Sequence, residues 1–320
     1  MKKTKIVNQW NKLTLGDFVT LQRGYDLPEA ERKSGNIPVI GSFGITGYHN
    51  EARVKAPGVT VGRSGASFGT VFYCSKDFWP HNAALYVKDF HGNDELFTYY
   101  FLKTFDFTKY NSGSAQPSLN RNYIYPIPII VPPLEEQRAI AEILGSLDDK
   151  IEANRRMNET LEATARAIFK SWFVDFDPVH YKSRGEMPAR MDAETAALFP
   201  DSFVESELGL IPRGWGVGTL DEIADYLNGL AMQKYPPDGD DYLPVIKIRE
   251  LRQGFTDSNS GQASLDIDTK YIIQDGDVIF SWSGSLLVDI WTGGIGGLNQ
   301  HLFKVTSDNF PDWFYFFWTK

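Results

Sequence analysis

From Leu134 the chain changes rhythm. Apolar or seam positions recur at alternating steps of four and three: Ile140, Leu144, Leu147, Ile151, Asn154, Asn158, Leu161, Ala165, Ile168 and Trp172. That is a 3.5-residue period held over more than four heptads, the mark of a coiled-coil seam. Pro132-Pro133 precedes the run, and Glu135 and Glu136 sit in the first turn, where the helix dipole favours carboxylates. About 39 residues at 1.5 Å each predict a rod of about 58 Å, longer than a small domain is wide. Asn154 and Asn158 in mid-seam cost stability but fix register and partner. The competing reading is a core helix inside one domain.

Before Leu134 the period is two. Val59-Thr60-Val61, Thr70-Val71-Phe72-Tyr73 and Ala84-Leu85-Tyr86-Val87 predict short strands bounded by Gly, Pro and Asn, as does Val278-Ile279-Phe280 after the turn dipeptide Gly276-Asp277. Glu95–Phe105 predicts a helix with an aromatic face. Tyr123–Val131 predicts an extended, proline-punctuated segment that cannot be a central strand. The expected class is α+β: two mixed domains, each a curved sheet with segregated helices, separated by a long coiled-coil-forming helix.

The pattern occurs twice. Trp10, Thr14, Leu15 and Gly24 match Trp215, Thr219, Leu220 and Gly229 at an offset of 205, and Pro38-Val39-Ile40 recurs as Pro244-Val245-Ile246. Ser64-Gly65 then meets Ser283-Gly284 at 219, which places an insertion within Lys247–Gly276. Glu95-Leu96-Phe97 aligns with Asp312-Trp313-Phe314, and the register continues to Lys103 and Lys320. An ordered series with small drifts predicts duplication. The expected organisation is a first domain at 1–133, the helix at 134–174, a linker at 175–214 containing an amphipathic fragment at Asp192–Phe199, and a second domain at 215–320. That second copy is expected to be incomplete, and Asp175-Phe176-Asp177-Pro178 to end the helix.

Charge modifies this picture. The total is −9 over 320 residues, but residues 1–133 carry +5, 134–214 carry −6 and 215–320 carry −8. An acidic total weakens phosphate-driven affinity, so the chain alone should bind DNA poorly unless partners supply positive charge. The single cysteine, Cys74, allows no internal disulfide and points to a reducing cytoplasm. No apolar stretch follows the basic start, and the run Tyr125–Leu134 is broken by four prolines, so neither a signal peptide nor a membrane span is expected.

Catalytic signatures are not seen. Gly62–Gly69 is glycine-rich but lacks the Lys-Ser/Thr ending of a phosphate cradle, and Gly293–Gly297 lacks dinucleotide spacing. The five histidines show no zinc spacing. The expectation is a chain that catalyses nothing by itself and holds no metal. Binding candidates remain: Arg63, Ser64, Ser67, His81 and Asn82 in the first copy, with Trp282, Ser283, Ser285, Asn299, Gln300 and His301 at equivalent places in the second. The loop Ser112–Arg121 adds Ser114, Gln116, Asn120 and Arg121. Arg, Asn and Gln can read base edges bidentately while Ser and backbone N–H groups hold phosphates. Turns are rich in Gly, Ser and Asn in any case, so the equivalence of the loops carries the reading.

Three stretches resemble the specificity subunit of type I restriction-modification systems: Ile127-Pro128-Ile129-Ile130-Val131-Pro132-Pro133-Leu134-Glu135-Glu136-Gln137-Arg138-Ala139-Ile140, then Leu147–Glu162, then Lys170-Ser171-Trp172-Phe173-Val174-Asp175-Phe176-Asp177-Pro178. Gly209-Leu210-Ile211-Pro212-Arg213-Gly214-Trp215 resembles the entry to such a subunit's second recognition domain. The resemblance implies two domains that each read half of a split target in double-stranded DNA, and helices that dock modification (methyltransferase) subunits. S-adenosylmethionine, ATP and Mg would then reside on the modification and restriction subunits, with no cofactor in this chain. The helix would act as a ruler, one turn of about 5.4 Å shifting register by between one and two base pairs. The family's second conserved helix is not seen after Lys320, so self-association through the long helix is a further expectation. Two alternatives stay open: a homodimeric half-specificity protein reading a palindromic split site, and a non-DNA binding module with a coiled-coil oligomerisation rod.

Overall fold

The computed structural model describes residues 10–113 and 116–320. The chain divides into two compact units, residues 1–157 and 158–320, with the division falling inside the long helix. The class is α+β, as the sequence predicts.

In the first unit a four-stranded antiparallel sheet runs in the order 20–23, 84–89, 58–62, 71–74. The central strand Gly58–Gly62 is buried at every position, because both faces of the sheet are covered. Val59 and Val61 face a core built from Leu15, Phe18, Phe97, Leu102 and Ile124. On the other face Tyr86 joins Ile40, Cys74 and Phe78. There a second sheet pairs the hairpin 37–41/44–49 with Trp79–Pro80, which runs parallel to 37–41. The one-turn helix Leu15–Phe18 is held by a capping box, in which Thr14 Oγ1 accepts from Asp17 N at 3.2 Å and Asp17 Oδ2 accepts from Thr14 N at 3.0 Å.

The segment 121–131 is only partly extended. Arg121–Ile124 closes a one-turn helix capped by Asn120, and the strand is confined to Pro128–Val131, paired with Asn11–Thr14 in a two-stranded sheet. Asn120 offers its carbonyl to the Asn122 amide at 3.0 Å, which favours a helical start over extension.

The second unit repeats the plan. Its main sheet runs 225–228, 302–306, 278–281, 287–290, all antiparallel, and its smaller sheet pairs Leu243–Ile246 in parallel with Gly296–Leu298. Thr219 and Glu222 form the equivalent capping box. The insertion expected within Lys247–Gly276 holds the helix Ile248–Gln253 and the strand Gln262–Ala263.

The long helix runs unbroken from Leu134 to Phe169 and continues through a π-helical turn, Lys170–Val174. Phe176 adopts a left-handed backbone, φ 55°, and breaks the path. Pro178 does not close this element but opens the next, Asp177–Ser183, sitting in its first turn where no N–H is needed. The fragment after Asp192 is the helix Ala193–Ala197.

One side chain explains how the helix start is fastened in the first unit. Gln137 is buried, donates to Asn93 Oδ1 at 2.8 Å and to the Pro132 carbonyl at 2.9 Å, and accepts from the Asp94 amide at 3.0 Å. Tyr100 adds a hydrogen bond to Asp148 at 2.8 Å, and Trp10 Nε1 donates to Glu136 at 3.2 Å. Gln137→Leu keeps the volume but orphans a buried amide and two acceptors. We expect a loss of about 2–4 kcal/mol, read as a lower urea midpoint at unchanged slope.

Candidate nucleic-acid interface

Three chain segments meet at one edge of the first unit because each leaves the paired strands there. The Ser42 hydroxyl lies 2.6 Å from the carbonyl oxygens of both Ser64 and Ala83 and shares its proton between them. Arg63 N donates to Ala83 O at 2.8 Å, and Arg63 Nε donates to the Asn82 carbonyl at 3.0 Å. That leaves the two terminal nitrogens of the Arg63 guanidinium without a partner among the described residues. Burial and the neighbouring Arg23 push its pKa down, against the pull of Asp26. A guanidinium stays charged regardless, so the site keeps a half-buried cation with a planar fork. Asn82 donates its side-chain amide to Asp26. Burial, with Arg32 adding to it and Asp26 opposing, lowers the pKa of His81, leaving a neutral ring with one donor and one acceptor at pH 7.

The loop segment 117–119 closes over the same edge: Leu119 N donates to Arg63 O at 2.7 Å and Gly65 N to Pro117 O at 3.1 Å. Arg63, Ser64, His81, Asn82 and this loop therefore come together, and Gln116 is exposed. Ser67 lies in the turn after Arg63, its carbonyl accepting from Thr70 N at 3.2 Å. Ser114 lies outside the described residues. Asn120 and Arg121 have structural engagements: Asn120 caps, and Arg121 Nη1 donates to Leu21 O at 2.8 Å.

The same corner is built in the second unit. Gly24 N donates to Ala84 O and His81 N to Ile40 O; correspondingly Gly229 N donates to Leu302 O and Asn299 N to Ile246 O. Tyr25 bridges His81 in parallel as Leu230 bridges Asn299. Asn299 is buried, so Gln300 and His301 carry its outward chemistry. The Gln300 amide lies 3.3 Å from His301 Nε2, and His301 Nδ1 is buried without a partner among the described residues. Trp282 stands half-exposed beside His301, ring centres 5.9 Å apart, and Ser283 follows it in the turn. Ser285 Oγ accepts from Arg252 Nη2 at 2.7 Å.

Ser42, Asp26 and Arg252 are absent from the sequence reading. Ser42 follows the repeated Pro-Val-Ile triplet, which is the one available signal. Arg252 comes from the inserted helix, whose buried Glu250 accepts from Arg249 at 2.6 Å and Ser260 at 3.0 Å. Burial raises the Glu250 pKa, but these hydrogen bonds outweigh it and hold the carboxyl below its usual range. Stability from a depressed carboxylate is complete above the unfolded pKa, about 4.3, and is lost as pH falls through the folded value. Glu250→Gln should therefore lower second-unit stability at pH 7, with the gap to wild type closing below about pH 4 in urea titrations.

On the long helix, Ile140 and Leu144 are half-buried in the first unit, while Leu147, Ile151, Asn154, Asn158, Leu161, Ala165 and Ile168 are exposed. In the second unit Trp172 packs against Phe199 with ring centres 5.6 Å apart, and Phe169 and Phe173 sit among Trp313, Phe314 and Trp318. Among the described residues no helix is long and apolar enough to cross a membrane.

The model of the type I restriction-modification DNA specificity domain matches residues 8–163. That stretch belongs to the type I restriction-modification specificity family. Within it, the chain is similar to the HindI specificity subunit of Haemophilus influenzae, 32% identical over 175 residues, covering 42% of this chain and 38% of that one. It is 27% identical over 199 residues to the MjaIX specificity subunit of Methanocaldococcus jannaschii, covering 60% and 42%. The matched part thus spans about two-fifths of these specificity-family relatives. The crystal structure of the type I restriction-modification S subunit from M. genitalium superposes over 98% of this chain and 78% of that one, with TM-score 0.56 and 15% identity, a likeness of fold alone.

Proposed function

We propose that this chain is the DNA-reading subunit of a type I restriction-modification complex, that each unit reads one half of a split target in double-stranded DNA, and that the long helix docks methyltransferase subunits. The observation that supports this reading is the repeated corner. Both units deliver the loop after Gly62 or Ser281 and the turn at His81 or Asn299 from equivalent strand pairings, and they vary the side chains that those loops carry. Arg63, His81 and Asn82 in one, and Trp282, Gln300 and His301 in the other, are hydrogen-bonding and stacking groups suited to different bases. A constant frame with exchanged side chains is what two readers of unlike sequences require. Catalysis, with S-adenosylmethionine, ATP and Mg, belongs in this reading to partner subunits.

The test is methylation of a random-sequence DNA library by the chain reconstituted with modification subunits. A bipartite, asymmetric target is expected. Arg63→Ala should lower methylation of that target by about 10- to 100-fold and relax one position in one half only. A symmetric target would instead assign the protein to the homodimeric class, and affinity indifferent to salt would remove DNA from the reading altogether.

A further inference from the structure

Arg63 and Asn82 are fixed through one residue. Arg63 Nε donates to the backbone carbonyl of Asn82 at 3.0 Å, and the Asn82 side-chain nitrogen donates to Asp26 Oδ1. An amide side chain accepts through its oxygen and donates through its nitrogen, and half a turn about its bond exchanges the two. A carboxylate only accepts, so the nitrogen must face Asp26 and the oxygen must face away from it. Asn82 is half-buried, and its Oδ1 has no partner among the described residues. The charge of Asp26 also acts on both Arg63 and His81. A carboxylate at such a corner weakens attraction for phosphate, so what it contributes is orientation. The second unit lacks this device. Leu230 stands where Tyr25 stands, each bridged in parallel to its turn, so Ala231 takes the place of Asp26. The Gln300 amide lies instead beside the His301 ring, which donates or accepts according to its tautomer.

We propose that Asp26 is a positioning residue for recognition: it locks the Asn82 amide with its oxygen outward, and the first unit thereby selects an amino base over a keto base at one position of its half-target. The inference rests on the DNA reading above and deepens it. In the major groove adenine and cytosine offer exocyclic amines, from which an outward oxygen accepts. Guanine O6 and thymine O4 are themselves acceptors and would meet that oxygen with no proton between them. The two terminal nitrogens of Arg63, fixed beside it, suit guanine O6 and N7. The first half-target therefore combines a guanine with a nearby position restricted to adenine or cytosine.

The test is methylation of a random-sequence library by the full chain with modification subunits, read as the ratio of A plus C to G plus T at each position. One first-half position is expected to favour amino bases by about tenfold or more, and Asn82→Ala, which abolishes that preference, identifies it. Asp26→Asn keeps the shape at residue 26 but offers both a donor and an acceptor, so the Asn82 amide is free to turn over. The ratio at that position should fall by about tenfold while the second half-target keeps its preferences. The exchange of Asp26→Asn together with Asn82→Asp again sets a donor against an acceptor-only group and leaves a carboxylate oxygen outward, so the amino preference should return. A merely structural Asp26 would change the melting temperature or total methylation and leave the ratio alone. The inference is overturned if no position depends on Asn82, if Asp26→Asn keeps the ratio, or if the exchange variant, folded by circular dichroism, does not restore it. A wild-type complex that methylates without sequence preference overturns the DNA reading, and this inference with it.

Discussion

Gly24→Ala is expected to destabilise the first unit by about 3 kcal/mol, and Gly229→Ala to do the same to the second. A Cβ on Gly24 would lie 2.2 Å from the His81 carbonyl oxygen and 2.4 Å from that of Pro80; on Gly229 it would lie 2.3 Å from Asn299 O and 2.5 Å from Leu298 O. These neighbours are backbone atoms fixed by ladder hydrogen bonds, so no side chain can swing away to make room. The cost is steric: glycine is needed there for close approach. For units of this size the melting temperature of the affected unit should fall by about 6–12 °C. Because the intruding methyl pushes on the strand that delivers His81 and Asn82, or Gln300 and His301, each variant should also impair reading of one half-target and spare the other. A pair of calorimetric scans, with two transitions of which only one moves per variant, checks the first claim. Loss of both half-targets from either single change would contradict the second.

That pair of glycines shows how far the sequence could be read. Their recurrence at an offset of 205 is visible in the chain, and so is the duplication they belong to. Why they recur is not, since a missing side chain says nothing about which backbone passes 2.2 Å away. Loop positions were legible for a similar reason: Ser64 and Ser283 follow equivalent strands, and the ends of equivalent strands deliver equivalent loops. Ser42 and Asp26 were not, because their partners lie 22 and 56 residues away and isolated turn residues of these types are common. Asn120 and Arg121 illustrate the converse ambiguity. A polar residue in a loop can face a ligand or fasten the loop, and here each makes a fastening hydrogen bond. Gln137 stands in the stretch that resembles the family, yet its role depends on Asn93 and Asp94, 44 and 43 residues earlier.

The long helix was the most legible element, because a 3.5-residue period needs no knowledge of the partner. Its division of labour was less so: Gln137, Ala141, Gly145 and Asp148 form an adjoining stripe spent on the first unit, and small or polar residues leave no periodic apolar signal. Beyond that stripe the seam stands open, with Leu147 53% and Ile151 64% exposed. Leu147→Glu combined with Ile151→Glu should therefore leave the isolated chain unharmed, within about 0.5 kcal/mol of wild type. In a complex the same change removes two apolar contacts worth about 1.5–3 kcal/mol each and buries two carboxylates without partners. Affinity for the modification subunits should drop by more than about 100-fold, measured by calorimetric titration, while the melting curve of the free chain stays in place. If titration with modification subunits is unaffected, the seam is not their dock. Sedimentation then separates the remaining possibility: a wild-type dimer that the double variant disperses would assign this face to a second copy of the chain.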